Sequence, residues 1–185
     1  MHPATATIAT TMMKTGTLSP ADDQGDLEQL FRKHHGIVFR TAYRITGNAS
    51  DAEDVLQTVF LRLAGRDPSS PALENPEHYL RRAAVNAALD VVRARHAEDA
   101  ARIGDLREPE PGQAVRRELQ DCLRRALARL NPQTAEVFAL RFLEGHSNRE
   151  IARMLGATQV WVAVTVYRAR QRLQQEIRSY LGGRP

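Results

Sequence analysis

The stretch from Ser147 to Leu173 constrains this chain more than any other, because it holds two helical patterns separated by a short break. Ser147-Asn148-Arg149-Glu150 has the form of a capping box, in which the Ser hydroxyl and the Glu carboxylate each satisfy an otherwise orphaned backbone N–H. The helix it opens carries Ile151, Ala152, Met154 and Leu155 on one face, then meets Gly156, which tolerates the left-handed conformation that ends a helix. Thr158 stands where it caps a second helix. That helix sets Val162, Val166, Ala169, Leu173 and Ile177 on one stripe and leaves Gln159, Trp161, Thr165, Arg168 and Arg172 opposite. Two helices joined this way form a helix-turn-helix, whose second helix enters the DNA major groove.

The rest of the chain is helical in pattern too. Ala, Leu, Arg and Glu recur at helical spacing, β-branched alternation is scarce, and aromatic residues make up only 5%. The expected class is all-α, with 185 residues divided into two small helical domains rather than one larger one. Lys+Arg of 26 against Asp+Glu of 22 gives a net charge of +4, which permits nucleic-acid binding without requiring it. Only Lys14 and Lys33 are lysine, so the positive charge is almost entirely guanidinium, suited to bidentate contacts. A GC-rich genome explains the same bias equally well. Cys122, the one cysteine, rules out an internal disulfide and a cysteine-based zinc framework, and its place on an apolar stripe marks it as a buried thiol. No run approaches a membrane span and the N-terminus lacks a signal-type apolar core, so a cytoplasmic location is expected.

Residues 1–25, rich in Thr, Ala and Ser, read as a disordered arm. Helical periodicity starts at Asp26 and runs through Leu27, Leu30, Phe31, His34, Val38 and Ile45 to a stop at Gly47-Asn48. Ser50-Asp51-Ala52-Glu53 reads as a second capping box, opening a helix with Val55, Leu56, Val59, Phe60 and Leu63 on its core face. Asn75-Pro76 starts a long helix whose broad apolar face joins Leu80 to the small residues Ala83, Ala84, Ala87 and Ala88. Residues 97–114, within a segment containing Pro109, Pro111, Gly112 and an excess of acids, form the expected flexible acidic linker. A helix from Val115 to Leu130 stops at Asn131-Pro132, and another carrying Val137, Phe138 and Leu140 closes at Glu144-Gly145.

Two helical domains, 26–96 and 115–185, with a helix-turn-helix in the second, resemble the bacterial RNA polymerase sigma factors of the extracytoplasmic-function (ECF) group. Three blocks carry the resemblance. Asp51 to Leu63 resembles the family's polymerase-docking helix. Tyr79 to Asn86, continuing to Asp90 and Arg93, resembles its promoter-melting helix. Leu130 to Ala152 together with Arg168-Ala169-Arg170 resembles its upstream-element reader. The resemblance implies no catalytic residue and no cofactor. It implies core RNA polymerase as a partner, met at the clamp helices of its largest subunit and at its flap, with promoter DNA and an anti-sigma factor as further partners.

Residue by residue, the resemblance assigns Asp54, Gln57 and Thr58 to polymerase binding, Thr58 standing where the family commonly has Glu. Blind to family, those polar residues are a solvated capping turn whose acids favour the helix dipole. Tyr79, Arg81, Arg82, Asn86, Arg93 and Arg95 are assigned to the minus-ten element, with Tyr79 replacing the family's usual Trp and Asn86 helping to hold a flipped base. By pattern alone, arginines at both ends of this helix are suited to phosphates, and Asn86 is an exposed side chain able to reach a base edge or simply to meet water. Thr158, Gln159, Trp161, Thr165, Arg168 and Arg172 are assigned to the minus-thirty-five element. Here the chain departs most from the family, because Trp161, Ala163 and Val164 replace polar readers. Apolar side chains touch thymine methyls rather than making bidentate contacts, so Gln159 is the best adenine reader, and a protein contact through Trp161 and Val164 is the competing reading. His34 and His35 lack Cys or acidic partners at ligand spacing and read as surface or interfacial histidines, not a metal site. Two other functions fit the elements alone: a helix-turn-helix repressor or activator, and an all-α protein-interaction adaptor.

Overall fold

The computed structural model of the protein describes residues 20–67, 69–101 and 114–182, and among these it holds seven α-helices and no strand. They are α1 (Pro20–Thr46), α2 (Ala49–Ala64), α3 (Pro76–Ala101), α4 (Ala114–Ala128), α5 (Pro132–Phe138), α6 (Asn148–Leu155) and α7 (Gln159–Gly182). Helix α1 begins at Pro20, upstream of the Asp26 start read from periodicity, and α3 runs to Ala101, past the expected linker start at 97. Residues 1–19 of the expected arm and 102–113 of the expected linker lie outside the described residues.

Helix α3 is the pivot of the fold. Its small residues let helices approach on both sides, so α1 and α2 pack against one flank and α4, α5 and α6 against the other. Leu80, Ala84, Val85, Ala87, Ala88, Leu89 and Val92 are its buried residues. The resulting core is continuous between the halves, from Val38, Ile45, Val55 and Val59 through α3 to Leu127, Val137, Leu140, Ile151 and Val162. The two helical units are therefore packed together rather than merely tethered.

Local signals explain most helix ends. At Ser147 the capping box is complete: the Glu150 carboxylate accepts from the Ser147 backbone N–H at 2.8 Å, and the Ser147 hydroxyl accepts from the Glu150 N–H at 3.3 Å. Gly156 then adopts φ 62°, and α6 ends there. Asn131 caps α5 with Pro132 at its first position. The box read at Ser50–Glu53 is not formed. Asn48 lies earlier and its Oδ1 accepts from the Ser50 and Asp51 N–H groups instead, so α2 starts at Ala49. Helix α5 does not stop as an ordinary helix but continues through a π-helical turn, Ala139–Leu143, whose wider winding delivers Glu144 toward α1 and α3.

Candidate nucleic-acid interface

Three surfaces carry the residues singled out from the sequence. On α2, Asp54 and Gln57 are exposed and Thr58 is half-buried. Gln57 borders an apolar depression of about 610 Å³ lined by Leu27, Phe31, Phe60, Leu61 and Ala64, and Leu61 is 71% exposed. Asp51, a member of the capping box read from the sequence, does not share the exposure of Asp54. It is buried, bound by Arg95 at 2.5 Å, and burial pushes its carboxyl above the ordinary aspartate range although Arg95 opposes the shift.

On α3 the polar residues are nearly all engaged. The Arg81 guanidinium grips Glu77 one turn away at 2.9 Å and, across the molecule, Glu144 at 2.9 Å. That grip holds the Glu77 carboxyl below its usual range. Arg82 donates to Glu136 on α5 at 2.6 Å, and the Asn86 amide donates to the same oxygen at 3.0 Å. Arg93 pairs with Asp90, and Arg95 with Asp51. Asn86 is thus half-buried and bound, not the freely exposed side chain expected, because α5 lies over this part of α3. Tyr79 remains exposed.

Sequence reasoning missed the acids that do this. Glu144 has a fully enclosed side chain that accepts from Thr41, Arg44 and Arg81 at 2.8–2.9 Å. Glu136 is buried and takes two donors. Both carboxylates are stable away from water only because charged or hydroxyl donors replace it. The signal available for Glu136 was an acid inside the apolar run Ala135 to Ala139. A third cross-connection joins the halves, where Arg124 on α4 donates to the Thr46 carbonyl at 2.9 Å. A cation at the end of α1 suits the helix dipole, and the neighbouring Gly47 leaves room for it.

On α7 the recognition face is open. The Thr158 hydroxyl accepts from the Trp161 N–H at 3.2 Å, and Gln159 is exposed beside it. Val160, Trp161, Val164 and Tyr167 form an exposed apolar row. Arg168 and Arg172 line a groove of about 540 Å³ together with Trp161, Gln171 and Gln175. Thr165 is a correction: it is buried, and its hydroxyl donates back to the Trp161 carbonyl at 2.8 Å. His34 is buried as well, rather than on the surface, and its Nδ1 has no partner among the described residues. No cluster of metal-ligand type occurs among the described residues, and no helix there is long and apolar enough to cross a membrane.

The architecture is an all-helical pair of units, one with an arginine-edged central helix and the other with a helix-turn-helix. The chain matches the family descriptions of sigma-70 region 2 over residues 30–98 and sigma-70 region 4 over residues 120–173. It is 33% identical over 156 residues to the ECF RNA polymerase sigma factor SigM of Mycobacterium tuberculosis, covering 83% of this chain and 78% of that protein. Over 155 residues it is 34% identical to the ECF RNA polymerase sigma factor SigE of Mycolicibacterium smegmatis, covering 80% of this chain but only 60% of that protein. The sigma factor RpoE of Bartonella quintana, solved in complex with the anti-sigma factor NepR, aligns with a TM-score of 0.50 at 22% identity. That alignment covers 83% of this chain and 97% of RpoE, and it speaks to the fold alone. The chain belongs to the ECF RNA polymerase sigma factors. Members of this family are transcription initiation factors, not enzymes, and the repressor and adaptor readings are not favoured.

Proposed function

We propose that the 26–96 unit docks on the clamp helices of the largest core-polymerase subunit through Asp54, Gln57 and Thr58, while α3 engages the melted minus-ten strand and the 115–185 unit reads the minus-thirty-five element. The observation that carries the docking step is the pairing of exposed Asp54 and Gln57 with the apolar depression around Phe31 and Leu61. A polar rim beside an apolar centre is how specific protein interfaces are composed. For the minus-ten element, Arg81 and Arg82 supply phosphate contacts and Asn86 a base contact, with Tyr79 as a stacking surface and Arg93 and Arg95 farther along. For the minus-thirty-five element, Arg168 and Arg172 anchor phosphates, Gln159 reads adenine, and Trp161 meets thymine methyls. Thr158 acts through the helix start it caps, and Thr165, largely buried, lines the floor of the same groove as Arg168 and Arg172. The work is done in the cytoplasm, where the polymerase acts.

The exposed row of Val160, Trp161, Val164 and Tyr167 favours a second role for α7, as a contact for the polymerase flap or an anti-sigma factor. The RpoE–NepR complex is a precedent for an inhibitor of that class.

Asp54→Lys should weaken capture of the chain by purified core polymerase at least about tenfold, as charge reversal within a docking patch does. Undiminished capture would remove α2 from the interface. Asn86→Ala, assembled with core polymerase, should lower permanganate reactivity of promoter thymines while leaving polymerase capture intact. Unchanged reactivity would remove Asn86 from the minus-ten site.

A further inference from the structure

We infer, resting on the reading of α2 as the polymerase-docking helix, that residues 1–19 of this chain cover the apolar depression on that face, with Met12 and Met13 seated in it until core polymerase displaces them. The depression, about 610 Å³, is walled by Leu27 and Phe31 of α1 and by Phe60, Leu61 and Ala64 of α2. Phe31 is 42% exposed, so it and the still more open Leu61 turn apolar surface to water at one place. A contiguous apolar surface of this kind on a folded chain marks a place for an apolar partner.

Three observations single out the chain's own N-terminal segment as that partner. The first is position. Helix α1 begins at Pro20, and Leu27, which lines the depression, follows seven residues later. At a rise of about 1.5 Å per residue, the segment joins the fold roughly 10 Å from the hollow. The second is reach. Met12 and Met13 precede Pro20 by eight and seven residues. That length of chain spans up to about 25 Å when extended, which leaves enough to turn back along α1. Gly16 and Pro20 are residue types that reverse chain direction. The third is chemistry. Residues 1–19 contain no Asp or Glu, and Ile8, Met12, Met13 and Leu18 are their large apolar residues beyond Met1. Methionine is unbranched and shapes itself to irregular apolar surfaces. Lys14 comes next, and the face it would meet carries the exposed acids Glu28, Glu53 and Asp54. A segment tethered this closely acts at an effective concentration in the millimolar range, so modest contact suffices to cover the hollow. Polymerase then meets a partly covered face, and its apparent affinity falls in proportion to the uncovered fraction.

The test uses nuclear magnetic resonance of the full chain, isotope-labelled at its four methionine methyls, Met1, Met12, Met13 and Met154. Without polymerase, the Met12 and Met13 signals should be displaced from the free-methionine position by the Phe31 and Phe60 rings and should stay so on dilution. They should return to that position in Leu61→Glu, a substitution at an exposed site. With core polymerase, a Met12→Ser, Met13→Ser variant should be captured about threefold to tenfold more tightly than the parent. Both residues lie outside the described helices, so their replacement leaves the docking surface itself intact. Signals at the free-methionine position would overturn the seat, and signals that move there on dilution would overturn it in favour of a second copy of the chain. Displaced signals with unchanged capture would overturn the covering role. Failure of the docking reading looks different: Asp54→Lys then keeps full capture, while the methyl signals, read without polymerase, stay displaced.

Discussion

The two arginine-bearing helices α3 and α7 differ in what their cations are doing. On α3, Arg81, Arg82, Arg93 and Arg95 each hold a carboxylate. On α7, Arg168 and Arg172 line an open groove and form no ion pair among the described residues. The same residue type, on helices of similar length, is neutralised in one place and available in the other. On the roles proposed for the two helices, α7 is open to duplex DNA while the arginines of α3 are engaged by carboxylates. Affinity of the chain for duplex DNA should therefore come from α7 rather than from α3.

The largest expected effect tests that asymmetry directly. Replacing Arg168 and Arg172 with Ala together should weaken duplex binding by the free chain on the order of tenfold or more, and should flatten the salt dependence by about two units of slope. Replacing Arg81 and Arg82 in the free chain should change little. Anisotropy titrations across a salt series give both numbers, and a reversed ranking would break the comparison.

Next in size is the base-reading part of α7. Gln159→Ala should cost about 1–3 kcal/mol at a single base position and leave the others unaffected, as measured on a panel of single-base operator variants. Trp161→Ala sharpens the result. Loss of discrimination at thymines, with inhibitor and polymerase binding intact, assigns the apolar row to the groove; the opposite pattern assigns it to protein.

The start and end of the first helix of the helix-turn-helix were legible because their signals are local. Ser147, Glu150 and Gly156 act on backbone groups within one turn of themselves, so spacing alone determined the outcome. At the start of α2 locality was ambiguous, since both Asn48 and Ser50 are good caps and only the turn after Thr46 decides which one meets the free N–H groups. Thr165 was misplaced for a related reason: it sits at the edge of the buried stripe, and a hydroxyl that can bond the preceding turn is tolerated inside. The state of α3 was not legible at all. Its partners Glu136 and Glu144 lie 50 to 63 residues away, and nothing local to Arg81 or Asn86 says that another unit packs over them.

Gly47→Ala probes the junction at Arg124 rather than at the acids. Gly47 has φ 69°, and a Cβ there would stand 2.6 Å from the Arg124 guanidinium that bonds the Thr46 carbonyl. Strain in the left-handed region together with displacement of Arg124 should lower stability by about 1–2 kcal/mol in chemical denaturation. An unchanged midpoint would show that this contact contributes nothing to the packing of α4 on the end of α1.

The smallest effect is a pH dependence of the closed packing. His146 follows Glu144 closely and stands edge-on to His78 at 6.3 Å. Burial holds its pKa below the ordinary histidine value, Arg81 and His78 add to that, and Glu150 and Glu144 oppose it. His34 is lowered first by burial, then by Lys33 and Arg81, against Glu77. A histidine depressed in the folded state is protonated more readily once unfolded. Its contribution is therefore complete above the unfolded value near 6.5, falls as pH drops below that, and levels off once the folded form also titrates. Each histidine contributes a slope of at most about 1.4 kcal/mol per pH unit. The lowered carboxyls of Glu77 and Glu150 titrate in a more acidic window, and the raised Asp51 carboxyl runs in the opposite direction, favouring the folded state as acid is added. The melting temperature should accordingly fall between pH 7.5 and 5.5, and a His34→Gln, His146→Gln variant should show a shallower decline. A wild-type midpoint that is flat or rises over that interval would mean that neither imidazole is held neutral by the packing around α3.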